Sequence, residues 1–88
     1  MKITRKVKVK FPLGLHSRPA ASIVKILQPY KSAIAFTCRG ETINAKSIMS
    51  ILMLAASRNS QITITVEGED AELTMQKLVE AFENKFGE

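Results

Sequence analysis

The stretch Gln61-Ile62-Thr63-Ile64-Thr65-Val66-Glu67-Gly68-Glu69-Asp70-Ala71 changes its period partway along. Ile62, Ile64 and Val66 alternate with Thr63, Thr65 and Glu67. Such alternation gives a strand one apolar and one polar face. From Gly68-Glu69-Asp70 onward the spacing turns helical. Ala71, Met75, Leu78 and Phe82 form one apolar stripe, with Phe86 at its far end. The acids fall in the first turn, where the positive end of the helix dipole favours them.

The same two patterns recur upstream. Ile3, Arg5, Val7, Val9 and Phe11 alternate with Thr4, Lys6, Lys8 and Lys10, which predicts a first strand over 3–11 with one buried face. Pro12-Leu13-Gly14 breaks it. From Ser17 to Gln28, Ala20, Ile23, Val24 and Leu27 fall at helical spacing, and Pro29 stops the helix. Ala33 to Cys38 alternates again, with Ile34, Phe36 and Cys38 on one face. Arg39-Gly40 is a turn and Glu41 to Ile43 a return strand, so this region is a hairpin. Cys38 then reads as a small core residue. Ser47 to Leu54 is short and almost wholly apolar, a helix of about two turns reaching toward Ala56. Ser57-Arg58-Asn59-Ser60 is a loop in which Asn59 suits a left-handed backbone. The order βαββαβα is that of an α+β open-faced sandwich: a four-stranded antiparallel sheet covered on one face by three helices.

Composition narrows the classes. The 88 residues make a single domain over 1–88, large enough for one modest core. Of these, 45% are hydrophobic and 24% charged, as in a globular protein. One cysteine precludes an intrachain disulfide and fits a reducing compartment. No apolar run nears the ~20 residues of a membrane span. Residues 1–10 have charge but no apolar core of a signal peptide. A cytoplasmic protein without membrane insertion is expected. The net charge is +5, but the basic residues are spread out and have no interleaved aromatics for base stacking. That argues against nucleic acid and for acidic partners. No cluster of His, Cys and carboxylates has metal-ligand spacing, so no metal or other cofactor is expected.

Two short runs hold the chemistry. In Gly14-Leu15-His16-Ser17-Arg18-Pro19-Ala20, the only histidine stands where the first strand gives way to the first helix. Free backbone N–H groups and the helix dipole stabilise an anion there. Ser17 supplies backbone at that N-terminus, and Arg18 adds a charged fork suited to phosphate. Pro19 lacks an N–H but fits a first helical turn. His16 is therefore either a phosphoryl-accepting imidazole or a surface residue at a helix start. In Asn44-Ala45-Lys46-Ser47-Ile48-Met49, Ser47 opens the short helix. It is either an N-cap or a phosphorylation site. Of Ile48, Met49, Leu52 and Met53, a two-turn helix can bury only some. The remainder are core or a protein-docking patch.

These runs, GLHSRPA (14–20) and NAKSIM (44–49), together with the closing ITITVEGED (62–70), resemble the HPr family. Its members are histidine-containing phosphocarriers of the bacterial phosphoenolpyruvate:sugar phosphotransferase system. The resemblance spans the chain. It implies that His16 takes a phosphoryl group on Nδ1 from enzyme I and passes it to EIIA components of sugar permeases. It implies that Arg18 supports the phosphate and that Ser47 is phosphorylated with ATP by an HPr kinase/phosphorylase. It also implies that Ile48, Met49, Leu52 and Met53 form the docking patch of a monomeric, stoichiometric carrier rather than an enzyme. The chain departs from the family's usual residues at Ser17, at Leu13 where a small polar residue is common, and at Ser50 and Ala55 where glycine is common. A regulatory binding module controlled through Ser47, and a carrier of a nitrogen-linked branch, are the alternatives.

Overall fold

The computed structural model describes residues 1–87. Its strands are β1 (Lys2–Lys8), β2 (Ala33–Cys38), β3 (Glu41–Asn44) and β4 (Gln61–Glu67). Its helices are α1 (Ser17–Leu27), α2 (Ile48–Leu54) and α3 (Ala71–Glu83). The strands form one antiparallel sheet in the order β1-β4-β2-β3. Ile62, Ile64, Val66, Ile34, Phe36 and Cys38 turn inward and are buried, as their alternation requires. On the opposite face lie Thr4, Thr65, Thr63, Thr37 and Thr42, placed there by the register. The hydroxyls of Thr37 and Thr42 meet at 2.7 Å. α3 covers β1 and β4, α2 rests on β3, and α1 packs on both α2 and α3. Ala20, Ile23 and Leu27 of α1 are fully buried. Each such aliphatic side chain larger than alanine contributes about 1.5–3 kcal/mol on burial.

The element ends differ from the sequence expectations for local reasons. β1 stops at Lys8 rather than Phe11, because its ladder partner β4 begins at Gln61, opposite Lys8. Pairing ends with the Val9 N–H donating to Ser60 O at 2.9 Å and the Asn59 N–H donating to Val9 O at 2.8 Å. Val9 and Phe11 remain buried beyond the strand. α1 ends one residue before Gln28, which caps it. β3 runs one residue past Ile43, to Asn44. α2 stops at Leu54 because Ala55 is left-handed, φ 52° and ψ 40°. Asn59 is left-handed as expected, with φ 72°.

α3 starts at Ala71, with Asp70 flanking it, and not at Gly68. Gly68 has φ 154°, and a Cβ there would run into Ser32. The Asp70 carboxylate bridges its own helix, where it accepts the Thr74 hydroxyl at 3.3 Å, and the entry to β2. It accepts the N–H of Lys31 at 2.8 Å, the N–H of Ser32 at 3.0 Å, and the Ser32 hydroxyl. These bonds, led by the Ser32 hydroxyl, lower its pKa to about 2. Phe86 is not part of α3. Lys85 and Phe86 are left-handed, with φ 52° and 53°. The ring of Phe86 stacks on Phe11 at 5.6 Å and meets Phe82 edge-on at 5.1 Å.

Candidate functional site

The approach to His16 is a rigid turn. The Gly14 N–H donates to Phe11 O at 3.0 Å, closing a β-turn across Pro12 and Leu13. Gly14 has φ 70°, and a Cβ there would collide with the Ala56 carbonyl. Glycine is therefore required on both conformational and steric grounds. The Leu15 N–H donates to that same Ala56 oxygen at 2.9 Å, and the Leu15 side chain is buried. The segment before His16 is thus fastened to the residues that follow α2.

His16 is the N-cap of α1, with extended backbone at φ −78° and ψ −169°. Its carbonyl accepts the Ala20 N–H at 3.0 Å, the first bond of the helix. Its imidazole is half-buried and makes no capping hydrogen bond. The N–H groups of Ser17 and Arg18 precede the first helical bond and have no intrahelical partner. Pro19, with no N–H, is buried in the same turn. The side chains of Ser17 and Arg18 are exposed. His16, Ser17 and Arg18 therefore stand together at the positive end of α1, in a first turn that has no acidic residue.

The second run lies at the start of α2. Ser47 is its N-cap, and its hydroxyl accepts the Ser50 N–H at 3.2 Å. Lys46 points elsewhere: its ammonium donates to Tyr30 O at 2.6 Å. α2 buries Ile51 and Leu54 and exposes Ile48, Met49, Leu52 and Met53, with Met49 71% and Met53 75% exposed. Leu13, at the tip of the β-turn, is 78% exposed.

The residue type of Ala56 carries no sign of the part its carbonyl plays. Arg39, a turn residue by its sequence context, also donates from its guanidinium to Ala55 O at 3.0 Å. The available signal was Gly14, since a glycine before a helix often marks a close backbone approach. A groove of about 720 Å³ lies between β1 and α3, lined among others by Ile3, Arg5, Met75 and Val79. No candidate residue lines it. Among the described residues, no three His, Cys, Asp or Glu side chains are placed to hold a metal ion. Among them also, no helix is long and apolar enough to cross a membrane.

The family model PTS-HPr, described as the PTS HPr component phosphorylation site, matches residues 3–84. The phosphocarrier protein HPr of Chlamydia muridarum is 48% identical over 80 residues, covering 91% of this chain and 77% of that protein. The crystal structure of HPr-C-His from Thermoanaerobacter tengcongensis superposes with a TM-score of 0.93 at 36% identity, covering 98% of this chain and 97% of that one. The phosphocarrier protein HPr of Bacillus anthracis superposes with a TM-score of 0.82 at 42% identity, covering 88% and 92%. Sequence agreement across residues 3–84 and backbone agreement across nearly the whole length lead to one conclusion: the chain belongs to the HPr family of phosphocarrier proteins.

Proposed function

We propose that the chain relays a phosphoryl group through His16, taking it from phospho-enzyme I and passing it to EIIA components of sugar permeases. The observation that supports this best is the placement of His16. Its imidazole heads α1 without being used as a cap, beside two N–H groups that have no intrahelical partner. The neutral Nδ1 lone pair attacks phosphorus in line. A P–N bond forms at His16 as the bond to the donor's leaving atom breaks. Positioning and charge stabilisation supply the rate. The N–H groups of Ser17 and Arg18 and the Arg18 guanidinium face the developing charge on the phosphoryl oxygens. An exposed helix tip suits a carrier, which must release what it binds. The protein acts as a cytoplasmic monomer, stoichiometrically and without metal or cofactor. Ile48, Met49, Leu52 and Met53 form its docking surface, and Ser47 is its regulatory site for an HPr kinase/phosphorylase.

The test is incubation with phosphoenolpyruvate and enzyme I. The expected product holds one acid-labile, alkali-stable phosphate, as a phosphoramidate does, and His16→Ala abolishes it. In the same assay Arg18→Ala slows transfer without loss of thermal stability, and Arg18→Lys restores it only in part, since a point charge lacks the planar fork. Acid-labile labelling of His16→Ala at the wild-type rate would overturn the reading.

A further inference from the structure

The four phenylalanines of the chain form one unbroken ladder. Phe36 of β2 meets Phe82 of α3 edge-on at 5.9 Å, and Phe82 meets Phe86 edge-on at 5.1 Å. Phe86 then stacks on Phe11 at 5.6 Å, with the ring planes 20° apart. Such ring pairs stabilise beyond the area they bury. The last two contacts exist because the chain doubles back after α3. Lys85 and Phe86 are both left-handed, a conformation disfavoured for residues with a Cβ. The Gly87 N–H closes the reversal on Asn84 O at 3.0 Å. Strained residues of this kind persist only where their surroundings hold them. Here the Phe86 ring supplies that hold, seated against Phe82 and Phe11. The ladder ends on the turn that leads to His16. The Gly14 N–H donates to Phe11 O at 3.0 Å, and the His16 N–H donates to Gly14 O at 2.9 Å. Residues 85–87 also lie against α1, where Ser22, Ile26 and Phe86 line one groove. The tail therefore touches the chain both before and after His16.

From this geometry we infer that Phe86 is a positioning residue for the phosphoryl transfer. Its ring clamps Phe11, and the hydrogen bonds from Gly14 to Phe11 and from His16 to Gly14 carry that clamp to the backbone of the phosphoryl acceptor. The inference rests on the relay proposed above. It adds that the geometry of transfer depends on a side chain near the other end of the sequence. The ring supplies no proton and no charge, and acts only through Phe11. In-line attack demands an acceptor held in place, so loosening the turn lowers the rate of transfer and not the affinity for the partner.

The experiment compares wild type, Phe86→Ala and Phe86→Tyr in two measurements. Amide hydrogen exchange needs no partner and reads the clamp directly. In Phe86→Ala, exchange at the Gly14 and His16 N–H groups should quicken by about tenfold more than at Ile64 in the centre of the sheet, because a local opening is freed without the fold as a whole. Single-turnover transfer from phospho-enzyme I reads the chemistry. Its maximal rate should fall about tenfold in Phe86→Ala, with the half-saturating concentration unchanged. Phe86→Tyr keeps the ring and should stay within about twofold of wild type in both measurements. Unchanged exchange at Gly14 and His16 overturns the clamp, and equal quickening at Ile64 makes Phe86 a residue of general stability and overturns it too. Quickened exchange with an unchanged transfer rate overturns the positioning role while leaving the relay intact. So does a raised half-saturating concentration at the wild-type maximal rate, which would make the ring a partner contact. A Phe86→Tyr protein as impaired as Phe86→Ala also overturns it. Failure of the wild-type protein to accept phosphate overturns the relay itself, and this inference with it.

Discussion

Asp70 shows how much one side chain can join. Its carboxylate gathers the N–H groups of Lys31 and Ser32 and the hydroxyls of Ser32 and Thr74, so the entry to β2 and the start of α3 are held as one unit. A carboxylate accepting this many hydrogen bonds is favoured in its charged form. Its pKa accordingly falls from 3.8 to about 2. The sign of the linkage follows. Because the folded value lies below the unfolded one, the stabilisation is complete above pH 3.8 and is lost as pH falls toward 2. Urea unfolding midpoints for the wild type should therefore drop between pH 4 and 2 more steeply than those of Asp70→Asn. Parallel curves would remove Asp70 from the acid response. The sequence placed Asp70 beside a helix dipole, which is local. Its partners Ser32 and Lys31 lie 38 and 39 residues away, and no periodicity encodes them. His16 was legible for the opposite reason, since a lone imidazole, an arginine and a proline within one turn need no long-range contact to be noticed.

At the scale of elements, α2 illustrates both what patterning reveals and what it leaves open. Its apolar content marked a helix too short to bury itself, but did not say which residues face out. The fold decides that by resting α2 on β3 and α1, which buries Ile51 and Leu54. Ile51→Ala should then cost about 2–5 kcal/mol of stability. Met49→Glu should change stability by less than about 0.5 kcal/mol while weakening association with enzyme I or EIIA. Thermal melts and binding titrations separate the two faces, and a collapse of the Met49→Glu fold would make Met49 core. The helix also ends at Leu54, short of Ala56. Ala55 takes a left-handed conformation that costs a residue with a Cβ about 1–2 kcal/mol. The Arg39 guanidinium on its carbonyl partly offsets this. Replacing Ala55 by glycine removes the strain but adds freedom to the unfolded chain. The net expectation for Ala55→Gly is a gain of about 0.5–1 kcal/mol, read as a higher urea midpoint.

Over the whole molecule, the α+β class and the element order were legible, whereas the strand order was not. Alternation in Gln61–Glu67 says that one face is buried, but not that β4 lies between β1 and β2. The lysines of β1 were the available hint, because charged side chains suit an edge strand. That topology ties the start of α1 to the end of α2, with α1 packed on α2 and Leu15 bonded to the Ala56 carbonyl. A charge placed at Ser47, at the start of α2, has two separate effects. On the fold it should be mild: Ser47 is an N-cap, and a phosphate of about −1.5 to −2 charges at a helix start is favoured by the unpaired N–H groups there. On association it should be severe, because Ile48 and Met49 adjoin it and a partner covering them must desolvate the phosphate. The expected behaviour is a switch without refolding. Phosphorylation of Ser47 should leave the melting temperature nearly unchanged and slow enzyme I-dependent phosphorylation of His16 by at least about tenfold, equivalent to about 1.4 kcal/mol. Ser47→Asp, with a single charge, should slow it less. Rates are compared for unmodified, Ser47→Asp and Ser47-phosphorylated protein, with melts of each. Equal rates for all three would leave Ser47 as an N-cap alone. A slow rate accompanied by a lowered melting temperature would mean that the charge acts by disturbing α2, not by opposing the partner.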